Sequence, residues 1–309
     1  PFGAAQGGPP IDAATLVSTI LVLGGSGLVG GELLKLLLDD DDFETAMEAA
    51  RRAGVINRLD RAVSGLPDAA ARETVALAAA LGNRAPKMLD ASTAFRCDAA
   101  WAYGFPELAP DQPAAIARAT HVSNPGCYPT GAIALLRPLV DAGLLPPDHP
   151  ISVNAVSGFA GGGRAMIEAH EAAHGPAFEL YGLALEHKHV PELQCYARLT
   201  RRPIFVPSVA HIRQGMLVSI PLHLDTLPGR PDAAALHDAL AAYYEGSAVD
   251  VVAAAGGSLT LGALNDCDRM VLRVYGHPAG HALLVAELDN LGKGASGAAV
   301  QNMKLMLGL

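Results

Sequence analysis

A glycine-rich turn near the beginning of the chain constrains the fold more than any other feature of the sequence. Residues 19–23 are a short β-branched apolar run, and residues 24–31 follow it directly as a glycine-rich stretch. Residues 32–38 then repeat apolar side chains at helical spacing. Phosphate groups can approach such a turn closely, because side chains are absent and the N–H groups at the start of the helix donate hydrogen bonds. The pattern therefore predicts a strand, a turn and a helix around a dinucleotide.

The spacing within this turn, Gly25-x-Gly27-x-x-Gly30, matches the fingerprint of dinucleotide-binding proteins. The expected cofactor contacts are Gly24, Gly25, Ser26, Gly27, Leu28, Val29 and Gly30. An acidic residue about 20 positions further on, which would hold a ribose hydroxyl of NAD, is not clearly placed. Arg51 and Arg52, or Ser26, suit a 2′-phosphate instead, so NADP is the predicted cofactor. A tight turn that binds nothing is the alternative.

Helical and strand-like patterns alternate through the first third of the chain. Residues 67–81 suit a helix that ends before Gly82, and strands are predicted at 61–64 and 87–91. This alternation indicates an α/β fold with a Rossmann-type dinucleotide-binding domain, in which helices cover a parallel sheet. Beyond Cys127, strands are predicted at 151–156, 204–206, 216–222, 270–275 and 282–288, with a helix at 233–244. These elements predict a second, α+β domain with a mixed sheet.

A chain of 309 residues exceeds what one hydrophobic core usually organises, so we expect two domains. The dinucleotide-binding domain is placed at residues 19–126, and a closing helix at 295–309 completes it. The second domain is placed at residues 127–294. Residues 1–18 have neither the basic region nor the compact apolar core of a signal peptide, and we interpret them as a loose leader.

The composition excludes several classes of protein. A net charge of −9 argues against a nucleic-acid surface, which requires clustered Lys and Arg. Apolar stretches are interrupted well before about 18 residues, so neither a transmembrane helix nor a membrane partner is expected. The four cysteines include no Cys-x-x-Cys pair. They therefore indicate reduced thiols in a cytoplasm rather than a zinc site or a disulfide framework.

The segment around Cys127 carries the clearest chemical signal. Pro125 and Gly126 predict a turn, and Pro129 is tolerated in a first helical turn, so we expect Cys127 at the start of a helix. There the helix dipole and unpaired N–H groups favour the thiolate over the thiol and can stabilise an oxyanion. This predicts a nucleophilic cysteine. The alternative is a small buried residue, which is our interpretation of the other three cysteines.

A thiol nucleophile requires a partner for proton transfer, and the eleven histidines include one grouped pair, His187 and His189. The two residues alternate across a predicted extended stretch, so that one ring faces the thiol and the other points elsewhere. A surface pair and a metal site are the alternatives. Because no further ligands stand at suitable spacing, no metal is predicted.

Several segments taken together resemble the N-acetyl-gamma-glutamyl-phosphate reductases, most closely the shorter form of that family. The segments are residues 123–131, 157–158, 161–163, 187–192 and 289–303. The resemblance covers nearly the whole chain after residue 18. It implies NADPH-dependent reduction of an acyl phosphate, N-acetyl-gamma-glutamyl phosphate, to the semialdehyde in arginine biosynthesis, through a thioester on Cys127. It also implies a homodimer or homotetramer, with the second domain serving catalysis and dimerisation.

The resemblance assigns roles to further residues. His187 and His189 match the family's acid/base pair, and neither ranks above the other. Positions implied for substrate binding are Arg96, Asn124, Ser157, Gly158, Arg164 and Glu192. Positions implied for cofactor binding are Pro67, Gly161, Asn290 and Gly294, the last two close to the nicotinamide. Gln214 stands where the longer form commonly has Arg, which leaves that anion contact open.

Three other functions are compatible with parts of this pattern. Aspartate-semialdehyde dehydrogenase shares the two-domain plan and a thiol nucleophile, but its cysteine and histidine motifs differ. A lysine-pathway reductase would act on a longer, carrier-bound acyl phosphate. A binding module that senses the redox state of a dinucleotide would perform no chemistry, and would keep its function without the Cys127 thiol.

Overall fold

A parallel sheet and a larger mixed sheet organise the part of the chain that the structure describes. The computed structural model describes residues 19–23, 59–64, 66–82, 85–172 and 175–309. The predicted leader, the glycine turn at residues 24–31, the helix predicted after it, and Arg51 and Arg52 lie outside the described residues.

Among the described residues, five parallel strands form the first sheet, in the spatial order β1, β2, β3, β5, β4. The strands are β1 Thr19–Leu23, β2 Leu59–Ser64, β3 Lys87–Asp90, β4 Ala102–Tyr103 and β5 His121–Ser123. Helix α1, Asp68–Ala79, connects β2 to β3, and helix α2, Gln112–Arg118, connects β4 to β5. Such crossover connections are what parallel pairing demands. The predicted α/β organisation is therefore confirmed.

The carboxyl ends of β3 and β5 lie side by side, because Asp90 pairs with Ser123. The backbone N–H of Asn124 continues this pairing by donating to the Asp90 carbonyl over 2.7 Å. The loop after β3 carries Arg96, and the turn after β5 leads to Cys127. Two distant parts of the sequence therefore leave the sheet at the same edge, where ligands bind in open α/β sheets.

Seven strands form the second sheet, in the order β10, β11, β12, β9, β6, β8, β7. They are β6 Ser152–Gly158, β7 Phe178–Leu180, β8 Ile204–Ala210, β9 Met216–His223, β10 Val249–Val251, β11 Met270–His277 and β12 His281–Leu288. Two of the pairings, β6 with β8 and β10 with β11, are parallel, and the others are antiparallel. The predicted mixed sheet is confirmed.

Three further helices belong to this half of the chain: α4 Arg164–Ala172, α5 Val190–Tyr196 and α6 Ala233–Tyr243. The sequence patterns predicted only α6. In β9, buried residues alternate with more exposed ones, so one face of the sheet packs inward. Among the described residues, no helix combines the length and the apolar character that crossing a membrane requires.

Helix α3, Cys127–Asp141, forms the centre of the main hydrophobic core. Twelve of its residues are buried, and Gly131 lies directly against the second sheet. A Cβ at Gly131 would lie 2.9 Å from Val218 Cγ2 and 3.3 Å from Ala286 Cβ, so only glycine allows this approach. The close packing fixes the position of the first turn of the helix, and with it the position of Cys127.

The closing helix α7, Gly297–Leu307, packs against the first sheet. Val300, Met303 and Met306 contact Leu89 and Val122 in a second apolar cluster. A π-helical turn, Gly292–Ser296, precedes this helix, so the α-helix begins two residues later than the predicted start at residue 295. This turn brings Lys293 into the interior.

Lys293 forms a buried ion pair that joins the π-helical turn to the loop after β4. Its Nζ donates to both carboxylate oxygens of Glu107, over 2.7 and 2.9 Å, and to Gln301 Oε1 over 2.6 Å. The Lys293 and Glu107 side chains are only 1% and 5% exposed. A buried pair of this kind is balanced only while both partners remain.

We expect Lys293→Met to lower the free energy of unfolding by about 3–5 kcal/mol, because the Glu107 carboxylate stays buried without its cation. Urea unfolding followed by circular dichroism measures the loss. The double variant Lys293→Met/Glu107→Leu removes both charges and should recover most of the stability. A single variant as stable as the unmodified chain would contradict this assignment.

Candidate active site

A cavity of about 390 Å³ opens at the carboxyl edge of the first sheet, beside the start of α3. It collects residues from six separate segments of the chain. The residues predicted for catalysis or binding that line it are Arg96, Asn124, Cys127, Ser157, Gly161, His187, His189, Asn290 and Gly294. The remaining predicted residues either support this cavity from behind, lie away from its walls or fall outside the described residues.

Cys127 is the first residue of α3, as predicted, and the extended backbone of Gly126 precedes it. The expectation of an acidic thiol is wrong for the free protein. Burial raises the pKa of the Cys127 thiol above its ordinary value, and this outweighs the opposing effects of Arg96 and of the Tyr128 N–H. Low polarity disfavours a charge more strongly here than a helix terminus favours it. The Cys127 side chain is therefore a neutral thiol near pH 7.

Gly126 allows three charged or polar groups to approach the backbone beside Cys127. A Cβ at this position would lie 2.5 Å from Arg96 Nη1, 2.8 Å from His189 Nε2 and 3.0 Å from Glu192 Oε2. Real Cβ atoms essentially never have neighbours closer than 3.0 Å. Gly126 is therefore required for close approach rather than for an unusual backbone angle, since its φ is −78°.

Glu192 lies against the turn before Cys127 and is 1% exposed. Its Oε1 accepts hydrogen bonds from the Tyr103 hydroxyl over 2.7 Å and from the Gly126 N–H over 2.8 Å. Its Oε2 accepts from Arg96 Nη1 over 3.1 Å. The carboxylate therefore fixes the turn that presents Cys127. Glu192 does not line the cavity itself. Its contacts hold Arg96 and the Gly126 turn in position.

Arg96 lines the cavity with a guanidinium that the protein already holds. Beside the bond to Glu192, Nε donates to the Asn124 carbonyl over 3.0 Å and Nη2 donates to the Ala91 carbonyl over 2.9 Å. One N–H on each terminal nitrogen is left for a ligand. Asn124 is similarly engaged, since its amide donates to the Ala295 carbonyl and accepts from Asn302.

His187 and His189 both line the cavity, with ring centroids 4.8 Å apart. The predicted extended stretch is wrong, because His189 has helical backbone angles and directly precedes α5, whose first turn contains Pro191. Burial lowers the pKa of His187 to about 4. Burial also lowers the pKa of His189 well below its usual range, and the Arg96 charge adds to this. Both imidazoles are therefore neutral near pH 7.

The two histidines differ in their surroundings. His187 Nδ1 accepts a hydrogen bond from the His189 backbone N–H over 3.2 Å. His189 is 7% exposed, its Nε2 approaches Gly126, and its buried Nδ1 has no hydrogen-bond partner among the described residues. Within the described chain, no three side chains of the histidine, cysteine, aspartate or glutamate type are arranged to hold a metal ion.

Asn290, Gly161 and Gly294 also line the cavity, as the predicted nicotinamide contacts would. Asn290 is held by the Gly215 N–H, which donates to its Oδ1 over 2.7 Å, while its buried Nδ2 has no partner in the described structure. Gly161 lies against this amide, and a Cβ at Gly294 would lie 2.9 Å from Cys127 Cβ. The unpartnered Asn290 Nδ2 is a donor that suits the carboxamide of a nicotinamide.

Besides Glu192, three predicted residues that the structure describes do not line the cavity. Arg164 begins α4 and is exposed, and Pro67 precedes α1 and is also exposed. Gly158 packs against the backbone of Arg213 and Gln214. Ser157 does line it, and its Oγ donates to the Gly158 carbonyl.

Gln214 lies outside the cavity lining. Its Nε2 donates to Asp289 over 3.0 Å and to Asp266 over 3.1 Å. These bonds link two loops and occupy the amide nitrogen.

Several residues of the site were not singled out from the sequence. Lys188 lines the cavity between the two histidines, and Tyr181 lines it beside Tyr128. Tyr181 donates to the Tyr128 hydroxyl over 3.1 Å, which in turn donates to the Ser208 carbonyl. The sequence did contain a signal for Lys188, because this residue stands between two predicted catalytic residues. Tyr181 had none, because only tertiary structure brings it here.

Comparison with known proteins gives consistent matches. Residues 127–290 match the family described as semialdehyde dehydrogenase, dimerisation domain. N-acetyl-gamma-glutamyl-phosphate reductase 2 of Pseudomonas putida is 52% identical over 267 residues, which is 84% of this chain and 84% of the relative.

Solved structures share the fold at low sequence identity. Aspartate semialdehyde dehydrogenase II from Vibrio cholerae matches with a TM-score of 0.68 at 16% identity, over 94% of this chain and 98% of the other. The aspartate semialdehyde dehydrogenase with NADP from Candida albicans matches with a TM-score of 0.62 at 13% identity, over 93% and 97% of the two chains. Taken with the sequence relatives, these matches mean that the chain belongs to the N-acetyl-gamma-glutamyl-phosphate reductases, within the semialdehyde dehydrogenase fold.

Proposed function

We propose that this chain reduces N-acetyl-gamma-glutamyl phosphate to N-acetylglutamate semialdehyde with NADPH, in arginine biosynthesis, through a thioester on Cys127. Family membership supports the reaction. One observation carries the mechanism: Cys127 begins a helix inside a cavity that two neutral histidines share. Burial keeps water away from a thioester and strengthens every polar contact made to it.

The first step forms the thioester. The Cys127 sulfur attacks the acyl carbon, the bond from that carbon to the phosphate oxygen breaks, and phosphate leaves with the electron pair. A neutral imidazole accepts the thiol proton at the same time. We assign this role to His189, because its Nε2 lies beside Gly126 and it is the more buried of the two. N–H groups at the start of α3 suit the oxyanion.

The second step reduces the thioester. The nicotinamide of NADPH, when bound, supplies the hydride for this reduction. His189, now protonated, gives its proton to the developing alkoxide, and it takes the proton back when the thiohemiacetal collapses to the aldehyde. The proton then returns to the Cys127 sulfur. Asn290, Gly161 and Gly294 are the described residues proposed to hold the nicotinamide end of the cofactor.

A positioning role is proposed for the Arg96 and Glu192 pair. Arg96 offers its two remaining N–H groups to the substrate, while Glu192 holds both the guanidinium and the Gly126 N–H. Asn124 and Ser157 complete the substrate side of the cavity.

We propose that two copies associate through the outer face of the second sheet. Phe178, Leu180 and Leu283 are 54%, 48% and 38% exposed on this face and line one apolar groove of about 710 Å³. Exposed apolar patches of this kind mark protein interfaces. A homodimer buries the groove, and a homotetramer requires a second contact. A cytoplasmic location is proposed from the four free cysteines.

The reaction is tested in its reverse direction, with N-acetylglutamate semialdehyde, phosphate and NADP, by following the appearance of NADPH. We expect turnover with this aldehyde and little with aspartate semialdehyde. Cys127→Ser should lower turnover by at least about a thousandfold, because the hydroxyl is a far weaker nucleophile at this pH. Cys195→Ser, at an exposed cysteine, is the matched control. Absence of turnover with the first aldehyde would refute the proposed reaction.

The raised pKa of Cys127 predicts how the free protein reacts with iodoacetamide. Since the pKa lies above the ordinary value, the thiolate fraction is small at pH 7 and grows as the pH rises. The alkylation rate at Cys127, measured by peptide mass analysis, should therefore keep rising through pH 9. A plateau between pH 6 and 8 would indicate a thiolate and imidazolium pair and would contradict the neutral resting state.

Replacement of Glu192 should raise the alkylation rate of Cys127 while it lowers the rate of turnover. The Glu192 charge raises the pKa of Cys127, so Glu192→Gln should lower that pKa and speed alkylation at pH 7.5. The same change weakens the hold on Arg96 and the Gly126 turn, so kcat/KM should fall about a hundredfold. Slower alkylation by a variant that circular dichroism shows to be folded would contradict this prediction.

A further inference from the structure

The charges around the cavity are almost fully compensated. Its described lining contains no aspartate and no glutamate, although the chain carries a net charge of −9. Four basic residues line it: Arg96, His187, Lys188 and His189. The Arg96 charge is paired with Glu192, and the two imidazoles are neutral near pH 7 because burial lowers their pKa.

Lys188 is the described lining residue whose charge is not compensated. It is exposed, and within the described part of the chain its ammonium has no hydrogen bond or salt bridge to another residue. Its charge reaches the reacting groups, since it lowers the pKa of Cys127 and of both neighbouring histidines. Among the described lining residues, Lys188 therefore supplies the uncompensated positive charge of the cavity.

The substrate of the proposed reaction has two anionic groups, a carboxylate and a phosphoryl group, and their chemistry differs. A planar guanidinium fork can pair with either group, and an ammonium is a compact point charge that also binds phosphate. The phosphoryl group also gains negative charge as its bond to the acyl carbon breaks, and it must leave toward solvent. An exposed ammonium at the wall of the cavity meets both requirements.

We propose that Lys188 forms the binding subsite for the phosphoryl group of the acyl phosphate, and for inorganic phosphate in the reverse reaction. This inference rests on the proposed function. Lys188 stays protonated throughout: the carbon to sulfur bond forms, the carbon to oxygen bond breaks, and the electron pair leaves with phosphate. The ammonium stabilises that departing charge beside a paired Arg96, whose own charge Glu192 already balances.

The test is the reverse reaction with inorganic phosphate, varied separately from the aldehyde. Lys188→Met removes the charge at nearly constant length and should raise the KM for phosphate at least about tenfold, with the KM for the aldehyde unchanged. Lys188→Arg keeps the charge and should stay within about threefold of the unmodified chain. Arg201→Met, at an exposed residue away from the cavity, makes the same change in net charge and should alter neither constant.

A second readout does not depend on turnover. Phosphate should protect Cys127 from iodoacetamide, and the concentration that halves the alkylation rate should rise at least about tenfold in Lys188→Met. An unchanged phosphate KM together with unchanged protection would overturn the subsite. A raised KM for the aldehyde instead would assign Lys188 to the carboxylate and overturn it as well. Failure of the proposed function is distinct, because the unmodified chain would then give no NADPH.

Discussion

One buried carboxylate holds the catalytic geometry together. Glu192 joins the Gly126 N–H, the Tyr103 hydroxyl and the Arg96 guanidinium, and these groups come from segments far apart in the chain. Burying a lone carboxylate is costly, so all three donors, one of which is the Arg96 cation, are needed together. The position of the Gly126 turn, and of Cys127 directly after it, therefore depends on contacts from distant segments of the chain.

The same burial that fixes this turn sets the protonation state of the site. A dry environment raises the pKa of the Cys127 thiol and lowers the pKa of His187 and His189, so the resting site holds neutral groups. Cys127 and the two histidines are therefore uncharged before substrate arrives. A phosphoryl group needs a cation that is not already paired, which gives the exposed Lys188 a role that the buried Arg96 does not fill.

Local patterns predicted much of the fold and the position of Cys127 at the start of a helix. Pro125 and Gly126 act on their neighbours, so the start of α3 at Cys127 was visible in the sequence. The acidity expected of this thiol was not correct, because burial depends on contacts from distant segments. Glu192 and Arg96 are 96 positions apart in the sequence, so no local pattern predicts their ion pair. Likewise, the alternating histidines predicted an extended stretch, whereas His189 has helical backbone angles and directly precedes α5.

Covalent catalysis at Cys127 is the central claim, and intact mass analysis tests it most directly. The protein is mixed with N-acetyl-gamma-glutamyl phosphate in the absence of NADPH and quenched in acid, which preserves thioesters. The account predicts one N-acetylglutamyl group per chain, mapped to Cys127, released by hydroxylamine and absent from Cys127→Ser. A chain that turns over this substrate with NADPH yet shows no adduct, or carries the adduct on another residue, would contradict it.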